Sequence, residues 1–321
     1  MMKRLALATL VAAAFAANAQ APTYPSKPIR LVVGFAPGGA ADTVARAYGE
    51  CLGRQLGQPI VIENRAGAGS SIAADNVAKS PNDGYSLLIA SPASISVNPA
   101  LNPKLAYKPS DLAPITKVST SPLVLVVHPG AGINSVKELV ETAKKSPGKL
   151  NYATSGVGSA PHFGAALFSQ VTGVQMVHVP FKGGSPAIVS VVSGDTQLSF
   201  ATPPSVLPMV KAGRLKALAV SDRDRSSLMP EIPGMADAGL PDFGIAFWYG
   251  FFVPAGTQAP IIKKVFDVTT TCGQSPEVKA ILAREGTEVA LSKSPEEFAA
   301  FLAEDEKFWI KLAKESGANA D

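Results

Sequence analysis

Apolar residues along this chain fall into short runs separated by stretches with helical spacing. Residues 28–35 (Pro-Ile-Arg-Leu-Val-Val-Gly-Phe) are mostly apolar and β-branched, which predicts a buried strand. Ala36-Pro37-Gly38-Gly39 is a turn. Asp42 then opens a helix in which Val44, Tyr48, Cys51 and Leu52 share a face, with Gly57 as the stop. Further strands are predicted at 60–63 and 85–90, with a short helix over 71–79 between them. Strands alternating with helices predict an α/β fold with a largely parallel sheet.

The second half repeats the opening. Residues 123–127 form an apolar run, a crossing point between domains. Ser135-Val136-Lys137-Glu138 is a capping box that starts a helix reaching about residue 145. Residues 150–154 are a strand, 155–159 a Gly-rich loop, and Pro161 onward is helical. Later strands are predicted at 176–179, 198–201 and 215–220, with helices near 187–193 and 206–211. The aromatic run 247–253 reads as a strand returning to the first half, and 260–274, 277–284 and 295–315 as closing helices. Strand, Gly-rich loop and helix thus occur once in each half, which predicts two lobes facing one cleft.

Composition narrows the class. Of 321 residues, 46% are hydrophobic and 17% charged, too apolar for a disordered chain. The net charge of +4 comes without a dense Lys/Arg patch, which argues against a nucleic-acid partner. Residues 1–19 carry a basic start, an apolar segment too short to span a bilayer, and Ala17-Asn18-Ala19 as a cleavage pattern. They read as a signal peptide cut before Gln20, so the protein is expected to be exported, and periplasmic in a Gram-negative cell. In that compartment Cys51 and Cys272 are expected to pair, two buried thiols being the alternative.

The Gly-rich loops are the candidate chemistry. Helix N-termini present unpaired N–H groups and partial positive charge, and glycine lets a ligand come close to the backbone. Two such loops facing each other would hold an anion such as a carboxylate or phosphate. No Walker A sequence, HExxH or GxSxG is present, so nucleotide, zinc and hydrolase motifs do not fit. Neither a cofactor nor a metal is expected. Asp42 can cap its helix or contact a ligand. His162, on the first helical turn after a Gly-rich loop, could reach a bound anion, whereas His128 and His178 read as structural. Lys182 is either solvated or a cation at the cleft rim.

An ordered set of motifs then points to a family. It comprises Tyr24-Pro25-Ser26-Lys27-Pro28-Ile29-Arg30, Pro37-Gly38-Gly39-Ala40-Ala41-Asp42-Thr43-Val44-Ala45-Arg46 and Glu63-Asn64-Arg65-Ala66-Gly67-Ala68-Gly69. It continues through Pro81-Asn82-Asp83-Gly84-Tyr85, Tyr152-Ala153-Thr154-Ser155-Gly156-Val157-Gly158-Ser159 and Val179-Pro180-Phe181-Lys182-Gly183-Gly184, and ends with Trp248-Tyr249-Gly250 and Pro254-Ala255-Gly256-Thr257. With these motifs the chain resembles the extracytoplasmic solute receptors of tripartite tricarboxylate transporters, the Bug receptors. The resemblance covers nearly all of the mature chain.

It implies a two-lobed, type II periplasmic-binding-protein (Venus-flytrap) fold. The implied divisions are 20–121 for the first part of lobe one, 122–222 for lobe two and 223–321 for the return. It also implies a ligand carboxylate gripped between two loops. The first loop supplies Phe35, Gly38, Gly39, Ala40, Ala41 and Asp42. The second supplies Thr154, Ser155, Gly158, Ser159 and His162. Phe181, Lys182, Thr202, Ser91 and Trp248 are further candidates. The implied partners are a small carboxylate (a di- or tricarboxylate, an amino acid or an aromatic acid) and the transporter's membrane components, with the receptor a monomer and not an enzyme. A ligand sensor for a signalling system is the alternative, and an α/β hydrolase a more distant one.

Overall fold

The computed structural model describes residues 24–102 and 104–315. The expected signal peptide lies outside them. In chain order the first elements are β1 (Ile29–Val33), α1 (Ala40–Leu56), β2 (Ile60–Asn64), α2 (Ser71–Ala78), β3 (Ser86–Ala90), the short α3 (Asn98–Leu101), β4 (Leu112–Pro122) and β5 (Val124–Val127). The middle of the chain forms α4 (Val136–Lys145), β6 (Asn151–Thr154), α5 (Ala160–Thr172), β7 (Val177–Pro180), α6 (Gly184–Ser193), β8 (Leu198–Ala201), α7 (Pro203–Lys211) and β9 (Lys216–Val220). The last elements are β10 (Ala246–Pro254), α8 (Ala259–Gln274), α9 (Pro276–Arg284), β11 (Glu288–Val289) and α10 (Pro295–Glu315).

These strands form two separate sheets, one in each lobe. The first has the order β11-β4-β10-β3-β1-β2 and the second β7-β6-β8-β5-β9. Only part of each sheet is parallel. β1 runs parallel to β2 and β3, and β6 to β7 and β8, each joined through a crossover helix. The strands next to the lobe crossings run the other way: β10 is antiparallel to β3 and β4, and β5 to β8 and β9. The largely parallel sheet expected from the alternation of elements is therefore two mixed sheets.

The crossings are laced together at one buried serine. Ser221 Oγ accepts the N–H of Leu123 (2.7 Å) and donates to the carbonyl of Ile245 (2.5 Å). The backbone of Ser221 bonds both residues as well, at 2.7 and 3.1 Å. The β4–β5 crossing and both ends of the β9–β10 connection are thus tied at one point.

Cys51 on α1 and Cys272 on α8 form a disulfide with Cα atoms 5.7 Å apart, closing a loop of 221 residues. Of the capping box expected at α4, one half forms: Ser135 Oγ accepts the N–H of Glu138 at 3.1 Å, while the Glu138 carboxylate accepts the N–H of Asn134, one residue before the cap, at 2.8 Å. Helix α10 packs on the first lobe through Phe298 and reaches the second lobe through Trp309, whose ring lies 5.4 Å from that of Phe163 on α5. Among the described residues no helix is long and apolar enough to cross a membrane.

The lobes are in contact. Ser185 Oγ donates to the carbonyl of Pro37 across the cleft at 3.1 Å. A Cβ placed on Gly69 would stand 2.5 Å from the carbonyl oxygen of Val157, and one on Gly183 would stand 2.9 Å from the nitrogen of Ala36. Glycine is needed at these positions because the opposite lobe's backbone takes the space of a side chain.

Candidate functional site

Four helices begin at one cavity between the lobes. Gly39, Ala40 and Ala41 bring the start of α1, and Ala160 and Pro161 the start of α5. Gly184 brings the start of α6, and Thr202 and Ser205 that of α7. The N-cap residues Gly39, Ser159, Gly183 and Thr202 make no side-chain capping hydrogen bond. First-turn N–H groups of α1, α5 and α6 are therefore left for another acceptor, whereas α7 opens on Pro203 and Pro204, which have none, and its Ser205 N–H bonds the carbonyl of Thr202 at 3.0 Å; all four dipoles point their positive ends at one place. No charged side chain lines this cavity among the described residues. Its polar side chains are Ser155, Ser199, Thr202, Ser205 and Tyr249. Ser199 is already committed, donating to the carbonyl of Ala153 at 2.8 Å. Burial holds the Tyr249 phenol above its ordinary pKa, so it stays protonated and able to donate.

The loop of the first lobe is held by Asp42. Its carboxylate accepts the N–H of Gly38 (3.0 Å), a side-chain N–H of Asn64 (3.0 Å) and two from Arg46 (2.9 and 3.0 Å). Asn64 also donates to the carbonyl of Phe35 at 3.0 Å, which ties the loop to β2. Burial pushes the Asp42 carboxyl up, but the bonds from Arg46, Gly38 and Asn64 and the guanidinium charge outweigh it and hold it below the usual value. Asp42 thus serves its own loop and does not line the cavity.

His162 does the same in the second lobe. Its Nδ1 accepts the N–H of Gly158 at 3.1 Å, so the ring faces the loop backbone. The ring stacks on His178 at 4.2 Å, and His178 stacks on Tyr152 at 5.1 Å. Burial, with the charge of His178 as a smaller contribution, lowers the His162 pKa to about 3, so the imidazole is neutral and Nδ1 remains an acceptor. His178 Nε2 lies 2.6 Å from Thr154 Oγ1, which in turn accepts the N–H of Gly156 at 3.2 Å. Ser159 Oγ donates to the carbonyl of Gly156 at 2.6 Å. Thr154, Gly158, Ser159 and His162 therefore shape the loop rather than line the cavity.

Of the residues singled out from sequence, Phe35, Gly39, Ala40, Ala41, Ser155 and Thr202 come together at this cavity. Phe181 and Lys182 line an adjoining one. Ser91 is fully buried and its hydroxyl has no partner among the described residues, but it lines neither cavity. Gly38 lines neither of these but a third cavity, together with Ser185. Trp248 lies on the other face of β10, where it packs on Phe298 and Phe301 and donates to Asp305 Oδ2 at 2.7 Å. Its chain neighbours Phe247 and Tyr249 line the cavity instead, because successive side chains of a strand point to opposite faces.

The starts of α6 and α7 carried a signal not used above. Thr202-Pro203-Pro204 is a cap residue followed by proline at the first helical position, and Gly184-Ser185-Pro186 places proline inside the first turn. Among the described residues no cluster of three or more His, Cys, Asp or Glu could hold a metal ion.

Two α/β lobes joined by crossing strands, with helix N-termini lining the cleft between them, define the architecture of a periplasmic binding protein. The chain belongs to the tripartite tricarboxylate transporter receptor family. Residues 44–318 match the family described as "Tripartite tricarboxylate transporter family receptor". The chain is 36% identical over 311 residues to protein BugT of Bordetella pertussis, covering 96% of this chain and 95% of that one. Rpa4515 of R. palustris, solved with adipate, matches with a TM-score of 0.88 at 31% identity, covering 92% of this chain and 99% of that one. MatC of Rhodopseudomonas palustris, solved with bound malate, matches with a TM-score of 0.84 at 30% identity, covering 90% and 99%. The family and the fold are those of substrate-binding receptors, and family members are periplasmic binding proteins.

Proposed function

We propose that this chain captures a small organic acid between its lobes and delivers it to the membrane components of a tripartite tricarboxylate-type transporter. The observation that carries the reading is the convergence of four helix N-termini, none capped by its own side chain, on one cavity. Such an arrangement favours an anion, and a carboxylate offers several lone pairs to the N–H groups. The adipate and malate held by Rpa4515 and MatC belong to the same chemical class. Contacts drawn from both lobes favour the closed arrangement once the acid is bound.

In this reading residues 20–121 and 223–321 form one lobe and 122–222 the other. Residues 1–19 are removed on export, and the mature protein works in the periplasm as a monomer. The ligand leaves chemically unchanged, so its mass after incubation with the protein equals its mass before. Thermal denaturation against a panel of carboxylic acids, each beside its own amide, tests the proposal. An acid at about 100 times its dissociation constant adds about 2.7 kcal/mol of apparent stability, and the amide much less. A panel in which no acid raises the melting temperature, or in which amides do as well as acids, contradicts it.

A further inference from the structure

The third cavity is a groove of about 380 Å³ between α6 and α7. Val189 and Val192 line it from α6, and Pro208 and Met209 from α7. Both helices belong to the second lobe, yet Gly38 of the first lobe completes the wall. Contact between the lobes keeps Gly38 there. Ser185 Oγ donates to the carbonyl of Pro37 at 3.1 Å, and a Cβ on Gly38 would stand 3.3 Å from that same hydroxyl oxygen. The groove is therefore complete only while the lobes are together.

Its apolar wall is uncovered. Val189 is 66% exposed, more than any other large hydrophobic side chain among the described residues. An apolar recess with a polar rim marks a contact site on a protein surface. Arg214, just past the end of α7, supplies charge to that rim, and it is exposed. It stands in a basic setting. Residues 122–222 carry eight Lys and Arg against four Asp and Glu. None of those eight cations pairs with a carboxylate among the described residues, where every ion pair lies outside that stretch.

We infer that this groove is where the closed receptor docks on a membrane component of its transporter. That component places an apolar side chain between α6 and α7 and a carboxylate beside it on Arg214. Complementary charge steers the encounter, and the desolvated apolar contact holds it. A second copy of this chain fits poorly, because a two-fold contact would set the basic surroundings of Arg214 against themselves. A bilayer surface is flat and does not enter a recess between two helices. Because Gly38 forms one wall, an open receptor presents an incomplete groove, and the component reads the ligand through closure. This inference rests on the transport reading above and adds the surface through which the receptor delivers.

The test uses strains whose chromosomal copy of the full chain carries Val189→Glu, Arg214→Glu or neither. It follows uptake of whichever carboxylic acid raises the melting temperature of the purified protein most. Each substitution is expected to cut uptake about tenfold or more. The acid should still raise the melting temperature of each purified variant as it does for the wild type. In a further strain p-benzoylphenylalanine replaces Val189. On illumination it is expected to crosslink to a membrane component of the transporter when the acid is supplied, and much less when it is withheld. Unchanged uptake in both variants, no crosslink, or crosslinks to lipid, to a second copy or to the component regardless of the acid overturn the docking surface while leaving the acid-binding reading in place. Loss of the melting-temperature shift in both variants overturns it as well, since the groove would then serve the ligand and not a partner. If no acid shifts the wild type, the acid-binding reading falls and the docking surface with it.

Discussion

In the first lobe Gly38 donates its N–H to Asp42, four residues ahead; in the second lobe Gly158 donates its N–H to His162, also four residues ahead. Both glycines are in the left-handed region, at φ 79° and 73°, and in both lobes the helix begins two residues after the glycine. The two loops share one plan but differ in the chemistry of the latch. Asp42 is an anion whose charge is matched by Arg46. His162 is an imidazole kept neutral by burial. Neither brings a net side-chain charge to the cavity, so the backbone N–H groups and helix dipoles are left to set its potential. The comparison teaches that the proposed anion site is built by excluding side-chain charge from its wall and not by supplying a cation.

Removing each latch breaks the comparison most directly. Asp42→Ala leaves the N–H groups of Gly38 and Asn64 and the guanidinium of Arg46 without their acceptor, and should cost about 2–4 kcal/mol in chemical denaturation. His162→Ala strips one acceptor and one ring stack and should cost about 1–3 kcal/mol. His162→Asn, which keeps an acceptor oxygen near the position of Nδ1, should recover part of that loss. Equal, negligible costs for both alanine variants would mean that the loops hold their shape without the latches.

Acidity separates the two latches next. The His162 pKa falls from 6.5 to about 3 in the folded protein, so between those values the unfolded chain takes up a proton that the folded one refuses. Stability is therefore lost as pH falls from about 6.5 toward 3, and nothing is lost on this account above 6.5. The Asp42 carboxyl is lowered, so its contribution is present above the ordinary carboxyl value and disappears below it. His162→Asn should flatten the stability profile in the upper part of this range without changing the lower part. An unchanged slope near pH 5 to 6 in that variant would show that the imidazole is not the group responsible.

The smallest effect sharpens the glycine argument. Gly158→Ala forces a side chain into the left-handed region and places its Cβ 2.5 Å from Asn98 Oδ1, so it should cost about 1–2 kcal/mol. Gly39 has φ −89°, and a Cβ there meets its nearest atom at 3.6 Å, so Gly39→Ala should change stability by less than about 0.5 kcal/mol. A larger residue at Gly39 would point toward Gly184 of the opposite lobe and should hinder closure instead of folding.

Much of this was legible in the chain. The strand, loop and helix repeat identified both latched loops, because buried strands and glycine turns leave strong local patterns. β4 left none: its sequence Leu-Ala-Pro-Ile-Thr-Lys-Val-Ser-Thr-Ser-Pro has two prolines and many hydroxyls, and only pairing with β10 makes it a strand. Trp248 could not be told from Phe247 or Tyr249, since all three successive positions are aromatic and carry no alternation to mark the strand's faces. The role of His162 was hidden for a different reason. Which way a ring on the first helical turn points is decided by His178, which arrives from a strand later in the chain.

A crystal structure of the protein with a saturating carboxylic acid, chosen as the one that raises its melting temperature most, tests the central claim most directly. The account predicts one carboxylate within about 2.7–3.2 Å of main-chain nitrogens at the starts of helices from both lobes, with no lysine or arginine touching that group. A carboxylate held instead by a charged side chain, or lodged away from those helix starts, would contradict it.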